Sequence, residues 1–593
     1  MRCRYFVLLI ALAASATQAK SECKLVRYAE MPVTMVGMRP TISGTINGAE
    51  AHFLVDSGAF FNMMWQESAL KYQLKVGTAP LAYVQGIGGS TSVGLTTIKN
   101  FTLAGFGTAV THNVQFLVGG NSSASSQIAG IIGQNLLSFA DAEYDLANGV
   151  IRLFRSQDCK DQSLAYWAGT ALVAEMAIEE TTPTAPHLIG PATINDKRIR
   201  VVFDTGASRS ILSVGAAGRA GLKPEQTGVM AAGLSQGIGR QAKETWIGRF
   251  DLLDLGGEQV KNARLVISNF DNELPRDADM LLGADFFLSH RVYVAAKQRK
   301  IYFTYNGGRV FDLGLPDKPK ATDAAASDPS SNAEATNVPG DAAGFKRRAA
   351  ASAGRKEFAN AIADFDRAIK LDATDADSFY QRGLAKLQNR QPVLAMSDFD
   401  EALKFKPDHI FALVERGSLR LFSKDEAGAR TDFDTALTLT PNDPSLSFRV
   451  AQTYVNARHF DEAISRLDKW IAANPKDDRL PSALNGRCWS RAMLGIELDL
   501  ALADCNAAVK SSRNSYILDG RAFVYLRLGN FDKSITDYKA SLSLQPKSAW
   551  SLYGLGIAEI KKGLASDGQK DMKAALSIAP RIDEEFKRLG LMP

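Results

Sequence analysis

From Cys23 to Asn306 the chain alternates short runs of Val, Ile, Leu, Phe and Thr with Gly, Asn and Asp, as at Arg198 to Phe203 and Lys300 to Tyr305. Runs of that length, bounded by turn formers, predict β-strands. Between Pro316 and Gly344 the apolar anchors stop and Pro, Ala, Ser, Thr and Asp take over, as in Ala324-Ala325-Ala326-Ser327-Asp328-Pro329. A segment with so little to bury cannot offset the entropy of ordering it, which predicts a disordered linker over residues 314–343.

After the linker the spacing becomes a repeat. Small residues recur at Ala349, Gly383, Gly417, Ala451, Cys488, Ala522 and Gly556, in steps of 34 with one of 37. A second small column follows 12 or 13 positions later, at Ala361, Ala395, Ala429, Ala463, Ala501, Ser534 and Gly568, and prolines stand at Pro407, Pro441, Pro475, Pro546 and Pro580. The columns resemble the tetratricopeptide repeat, in which small residues let two antiparallel helices approach and proline closes the second. The resemblance implies an all-α solenoid over residues 344–593 whose concave surface takes a protein or peptide partner.

Composition adds little to this picture. With 46% hydrophobic and 22% charged residues the chain is of ordinary globular type, and 69 basic against 64 acidic residues give no nucleic-acid signal. The N-terminus does change the picture. Basic Arg2 and Arg4, an apolar run from Phe6 to Ser15 and Thr17-Gln18-Ala19 predict a signal peptide over residues 1–19, with export to a periplasmic or extracellular space. The apolar run is too short for an anchor helix, and no later stretch is long and apolar enough for a stable membrane span.

Cleavage leaves Cys23, Cys159, Cys488 and Cys505, enough for two disulfides with three possible pairings. Cys23 and Cys159 bracket one expected domain. Cys488 and Cys505 lie 17 residues apart in one helical hairpin, in columns that face its inside, so local pairing is favoured. Two buried free thiols are the alternative.

The chemistry lies in a pattern that occurs twice. Phe53-Leu54-Val55-Asp56-Ser57-Gly58-Ala59 is followed by Gly86-Ile87-Gly88 and by Ile131-Ile132-Gly133. Val201-Val202-Phe203-Asp204-Thr205-Gly206-Ala207 is followed by Gly237-Ile238-Gly239 and by Leu281-Leu282-Gly283. The last glycine lies 77 residues after the Asp in the first copy and 79 in the second. This layout is similar to retropepsin-like aspartic proteases, each lobe of which contributes an Asp-Thr/Ser-Gly-Ala loop, a glycine-rich flap and an apolar-apolar-Gly segment.

The resemblance implies an all-β, two-lobed acid protease module, with lobe one over residues 23–160 and lobe two over 165–313. Asp56 and Asp204 would be its catalytic pair. Hydrolysing an amide through water needs one carboxylate to take a proton and one carboxylic acid to give one, and two carboxyls in contact supply both by sharing a proton. Gly58 and Gly206 permit the tight loops, and the hydroxyls of Ser57 and Thr205 can brace them. The stretches around Gly86-Ile87-Gly88 and Gly237-Ile238-Gly239 are the expected flaps.

No Gly-Lys-Ser/Thr follows either glycine cluster, which excludes a phosphate loop. The six histidines, His187 among them, show no metal-ligand spacing, so neither metal nor cofactor is expected. Asp141, Asp145 and Asp285 are read as turn or helix-cap carboxylates outside the site. The function expected is an aspartic endopeptidase acting on a peptide or protein substrate, with an inactive peptide-binding or assembly scaffold of the same fold as the alternative.

Overall fold

The computed structural model describes residues 23–86, 89–120, 128–160, 162–182, 186–226, 228–235, 243–270, 273–307, 310–311 and 339–593. The expected signal peptide, the flap residues Ile87, Gly88, Gly237, Ile238 and Gly239, and the linker up to residue 338 lie outside these residues.

The two lobes repeat one strand order. In lobe one it runs Thr34–Val36, Arg39–Ile46, Ala49–Val55, Ile128–Ile132, Met63–Met64, Thr111–Val118, Gly89–Leu103, Gly77–Gly86. In lobe two it runs Ile189–Ile194, Lys197–Phe203, Met280–Leu282, Ile211–Ser213, Glu258–Ser268, Lys243–Leu255, Met230–Ser235. Apart from the extra edge strand Thr34–Val36, the orders correspond one to one. Arg39–Ile46 also pairs with Gly89–Leu103, and Ile189–Ile194 with Lys243–Leu255, so each sheet curls into a barrel.

A third sheet joins the lobes. Its order is Lys24–Pro32, Val150–Gln157, Asp141–Asp145, His290–Ala295, Lys300–Tyr305, Ala174–Ala177, with the central antiparallel pair drawn from different lobes. Here Asp141 departs from its expected turn or cap role, being buried on the central strand, whereas Asp145, buried at that strand's end, opens the short 3-10 turn Leu146–Asn148 and accepts from Asn148 Nδ2 at 2.9 Å. Fully buried Glu143 between them accepts from Arg152 of lobe one at 2.5 Å and from Arg291 of lobe two at 2.8 Å, and Arg152 reaches Asp145 at 3.3 Å. Asp141 accepts from Ser156 Oγ at 2.6 Å and from the Ala296 N–H at 3.0 Å. A buried carboxylate is tolerated only when paired, so this acidic strand depends on both lobes being present.

The helical region forms seven pairs. Their first helices are Ala342–Gly354, Ala376–Gln388, Ile410–Phe422, Pro444–Asn456, Leu480–Leu494, Ser515–Arg527 and Ala549–Lys561. The seventh pair closes with Ala565–Ile578, and a last helix, Ile582–Arg588, follows. The small columns bring the helices together: a Cβ on Gly383 would stand 2.6 Å from the Phe399 ring, and Ala349, Ala361, Ala451 and Ala463 are fully buried.

A further column is an arginine just before the small residue. Arg348, Arg382, Arg416, Arg487 and Arg521 make forked hydrogen bonds to Asp364, Asp398, Asp432, Asp504 and Asp537 on the second helix. Arg382 and Arg416 also reach back to Asp366 and Asp400 of the preceding pair, tying repeat to repeat. Pair four inverts the arrangement. Val450 stands where the arginine would be and Arg466 where the aspartate would be, and Arg466 pairs back to Asp434.

Cys23 and Cys159 lie at disulfide distance with Cα atoms 4.5 Å apart, and Cys488 and Cys505 with theirs 5.7 Å apart. The second bond closes a loop of 17 residues, which in the chain-entropy picture contributes about 3 kcal/mol. Cys488→Ala with Cys505→Ala is therefore expected to lower urea stability of the helical region by roughly that amount. Peptide mapping of native protein that found both thiols free would contradict the bond.

The helical array is docked on the protease-like module. Asp341 caps its first helix by accepting from the Gly344 N–H at 2.7 Å, and Ala350 and Ala351 of that helix share one core with Val33, Met35, Leu146 and Leu288. Further along, Glu67 on the lobe-one helix Gln66–Lys71 accepts from Ser445 Oγ and from Arg479, each at 2.9 Å. Two contacts separated by more than two repeats fix the array against lobe one.

Candidate active site

Each Asp loop is shaped by the strand beneath it. Ala49–Val55 runs parallel to Ile128–Ile132, and Lys197–Phe203 to Met280–Leu282, so the apolar-apolar-Gly segments lie directly beside the strands that end in Asp56 and Asp204. The Asp56 N–H donates to Ile132 O at 3.0 Å and the Asp204 N–H to Leu282 O at 2.9 Å. Only glycine fits at the crossing, because a Cβ on Gly133 would meet the Phe61 and Ala59 carbonyl oxygens at 2.8 and 2.9 Å, and one on Gly283 the Arg209 carbonyl at 2.6 Å.

The loops meet across the lobe interface through reciprocal bonds. The Ser57 N–H donates to Thr205 Oγ1 and the Thr205 N–H to Ser57 Oγ, both at 3.0 Å. Ser57 Oγ donates to Phe203 O at 3.0 Å and Thr205 Oγ1 to Val55 O at 2.7 Å. Both side chains are fully buried. Removing either hydroxyl leaves a buried N–H without its acceptor, so Ser57→Ala and Thr205→Ala are each expected to cost about 2 kcal/mol of stability. Urea unfolding checks this, with Thr205→Ser, which keeps the oxygen, expected to stay close to the parent.

With the loops braced, each carboxyl faces the opposite loop: a Cβ on Gly58 would stand 2.6 Å from Asp204 Oδ2 and one on Gly206 2.7 Å from Asp56 Oδ1. Asp56 Oδ1 accepts from the Gly58 and Ala59 N–H groups at 2.9 and 2.8 Å, and Asp204 Oδ1 from those of Gly206 and Ala207 at 2.8 and 3.2 Å. Burial pushes both carboxyls above the usual range. For Asp56 the Asp204 charge pushes the same way, and its two N–H donors push back. For Asp204 the neighbouring Asp56 and the backbone donors oppose burial.

Several supporting residues had no motif to mark them. Six residues after each Asp stand Asn62 and Ser210, and two after each supporting glycine stand Asn135 and Asp285. Asn62 Oδ1 accepts from the Gly133 N–H at 3.1 Å and Asn135 Oδ1 from the Asn62 N–H at 3.1 Å. In lobe two Ser210 Oγ accepts from the Gly283 N–H at 2.9 Å and donates to Asp285 Oδ1 at 2.7 Å. Asp285 thus ties the underside of the loop, where a helix cap was expected. Arg39 and His187 each lie 17 residues before an Asp. Burial pushes the Arg39 guanidinium down while the Asp56 charge pushes it up. Equal offsets in the two copies were the signal available for all of these.

The flap glycines are described only in part. Gly86 ends a strand whose partner starts at Gly89, with the two in register, and Ser235 pairs with Lys243 at the corresponding place in lobe two. Both are hairpin arms.

Residues 42–136 and 190–286 each match the family model described as aspartyl protease. Both lobes of the β-rich module are similar to aspartyl proteases. The two matched segments contain Asp56 and Asp204, respectively, and residues 517–548 match the tetratricopeptide repeat model. Over its helical region the chain is similar to a tetratricopeptide repeat protein from Parabacteroides merdae, at 18% identity over 42% of this chain and 97% of that one, with a TM-score of 0.36. It is also similar to PilW, a type IV pilus biogenesis factor, at 17% identity over 36% and 97% with a TM-score of 0.31. With the Cut9–Hcn1 assembly of the APC/C the figures are 14%, 42% and 48%, and 0.33, so the chain spans about half of that one. No curated protein matches this chain. Among the described residues no helix is long and apolar enough to cross a membrane.

Proposed function

We propose that the aspartyl protease module is an endopeptidase in which Asp56 and Asp204 activate a water molecule against a peptide bond. The observation that supports this reading is the pair of buried carboxyls, one from each lobe, each facing the opposite loop and held by the reciprocal Ser57 and Thr205 bonds. The ionised carboxyl takes a proton from water as its oxygen bonds to the carbonyl carbon. The protonated one gives its proton to the carbonyl oxygen. Collapse of the resulting diol breaks the C–N bond, with a proton passing from the pair to the leaving nitrogen. The hairpins ending near Gly86 and Ser235 would close over an extended substrate and exclude water.

The first copy places Phe60 and Phe61 after its loop, with ring centroids 4.1 Å apart, where the second places Ser208 and Arg209. The two halves of the cleft would therefore select unlike side chains. We place the protein in an oxidising space outside the cytoplasm, periplasmic or extracellular, which suits its two cysteine pairs. The repeats would serve a protein partner. Incubation of the full chain with a diverse peptide library, beside Asp204→Asn, tests the reading. Cleavage by the parent alone is expected, and a folded parent that cleaves nothing across acidic to neutral pH would favour the scaffold.

A further inference from the structure

The last helix, Ile582–Arg588, packs on both helices of pair seven and reaches Phe523 on the first helix of pair six. Its Phe586 is fully buried, with ring centroids 4.4 Å from Trp550, 4.9 Å from Tyr553 and 6.3 Å from Phe523. Trp489 continues the aromatic row at 5.4 Å from Phe523 and 5.1 Å from Trp550. These rings come from the first helices of pairs five, six and seven, and Glu585 pairs with Arg458 at the end of the first helix of pair four at 3.3 Å. A helix that only closed the end of the array would reach pair seven. This one also touches pair six and, through Glu585, the segment just after the first helix of pair four.

The segment is built as a self-contained unit. It starts three residues after the seventh pair's last helix has closed at Ala579, carries acids in its first turn and Lys587 and Arg588 in its last, and ends at Gly590 with φ +72°. The Leu591 N–H returns to Phe586 O at 3.0 Å, which completes the turn without help from the array. Its fit to the groove is incomplete. Trp550 Nε1 and Arg527 Nε are shut in without a hydrogen-bond partner among the described residues, and Arg527 reaches the Leu589 carbonyl only at 3.4 Å. A ligand offering acceptors to these donors would hold the face better than the present occupant does.

We propose that this face is a docking groove for an amphipathic helix of a partner protein, anchored by an aromatic side chain preceded by a carboxylate, and that Ile582–Leu591 is a latch the partner displaces. The latch shows the chemistry the groove accepts: the ring fills the Trp550, Tyr553 and Phe523 pocket and the acid meets Arg458. Tethering gives it a high effective concentration, so an isolated ligand meets an occupied groove. The inference rests on reading the repeats as a protein-binding array and is independent of the carboxyl pair.

The probe is a labelled peptide with the sequence Pro580 to Pro593, followed by fluorescence anisotropy. Targets are the full chain, a chain ending at Ala579, and the full chain carrying Phe586→Ala, which weakens the latch and leaves the groove intact. The shortened chain and Phe586→Ala are expected to bind the probe at least about tenfold more tightly than the parent, and a probe with alanine in place of its phenylalanine should not bind. Equal binding by parent and Phe586→Ala, or none by a Phe586→Ala chain of native helicity, would overturn the proposal. So would a parent dimer that dissociates on Phe586→Ala, since the groove would then belong to a second copy. Peptide hydrolysis measured in parallel separates failure of this inference from failure of the endopeptidase reading.

Discussion

Gly206→Ala is expected to reduce peptide hydrolysis by about 100-fold or more, and Gly58→Ala to do the same from the other lobe. The two glycines face the opposing carboxyls across the lobe interface. A Cβ on Gly58 would stand 2.6 and 2.7 Å from the Asp204 carboxylate oxygens, and one on Gly206 would overlap the Asp56 carboxyl carbon and stand 2.7 Å from its Oδ1. The obstacle is a carboxyl whose Oδ1 is already fixed by two backbone N–H groups in each loop, so it can yield only by breaking those bonds. Displacing reacting groups by about 1 Å is enough for a loss of that size. Gly218→Ala is the control. It sits in the helix Val214–Arg219 with nothing within 4 Å of its added Cβ, and is expected to leave activity unchanged and raise stability by up to about 1 kcal/mol. Full activity in Gly206→Ala, with a normal thermal transition, would mean that the loops do not meet as described.

What was legible in the chain follows from where each signal resides. The helix pairs announce themselves because close approach of two helices requires a small residue at each crossing, and a 34-residue stack repeats that demand seven times. The Asp loops are legible because a tight loop over a crossing strand requires Asp-Ser/Thr-Gly and a distant glycine together. The inter-lobe sheet is not legible. Its central pairing joins Tyr144 to Val292, and both faces of Asp141–Asp145 are covered, so no alternation survives; the acids there are made tolerable by arginines that arrive from two lobes. The arginine column of the repeats was visible in principle, since Arg348, Arg382 and Arg416 keep the same 34-residue step as the glycines. The docked last helix could not be read at all: seven residues give too little periodicity, and its partners lie on three different repeats.

Asp56→Asn is expected to abolish hydrolysis and, at neutral pH, to make the protein more stable. Both outcomes come from one cause. Burial, and for Asp56 also the neighbouring charge of Asp204, raises the folded-state values of the pair above the ordinary 3.8 of an aspartic acid. A carboxyl raised in this way binds a proton more tightly in the folded chain than in the unfolded one. Its contribution to stability is then fully present below the unfolded value and is lost as pH rises through the folded values, because folding must hold protons that the unfolded chain has released. Asparagine keeps the shape and one hydrogen-bond donor but has no proton to lose. The difference between variant and parent should therefore be smallest in acid and grow towards neutrality, reaching a few °C in the thermal transition if the shift is worth about 1 kcal/mol. Hydrolysis depends on the same titration from the other side. It needs the pair singly protonated, so the parent rate should rise and fall as a bell while the variant stays inactive throughout. The check is scanning calorimetry of both full-length chains from about pH 4 to about pH 8, with one peptide assayed at each pH. A stability difference that did not change with pH would show that the carboxyls are not held above their ordinary range. A variant destabilised most at neutral pH would reverse the sign and leave the pair as two independently ionised acids, which cannot share the proton that the proposed hydrolysis requires.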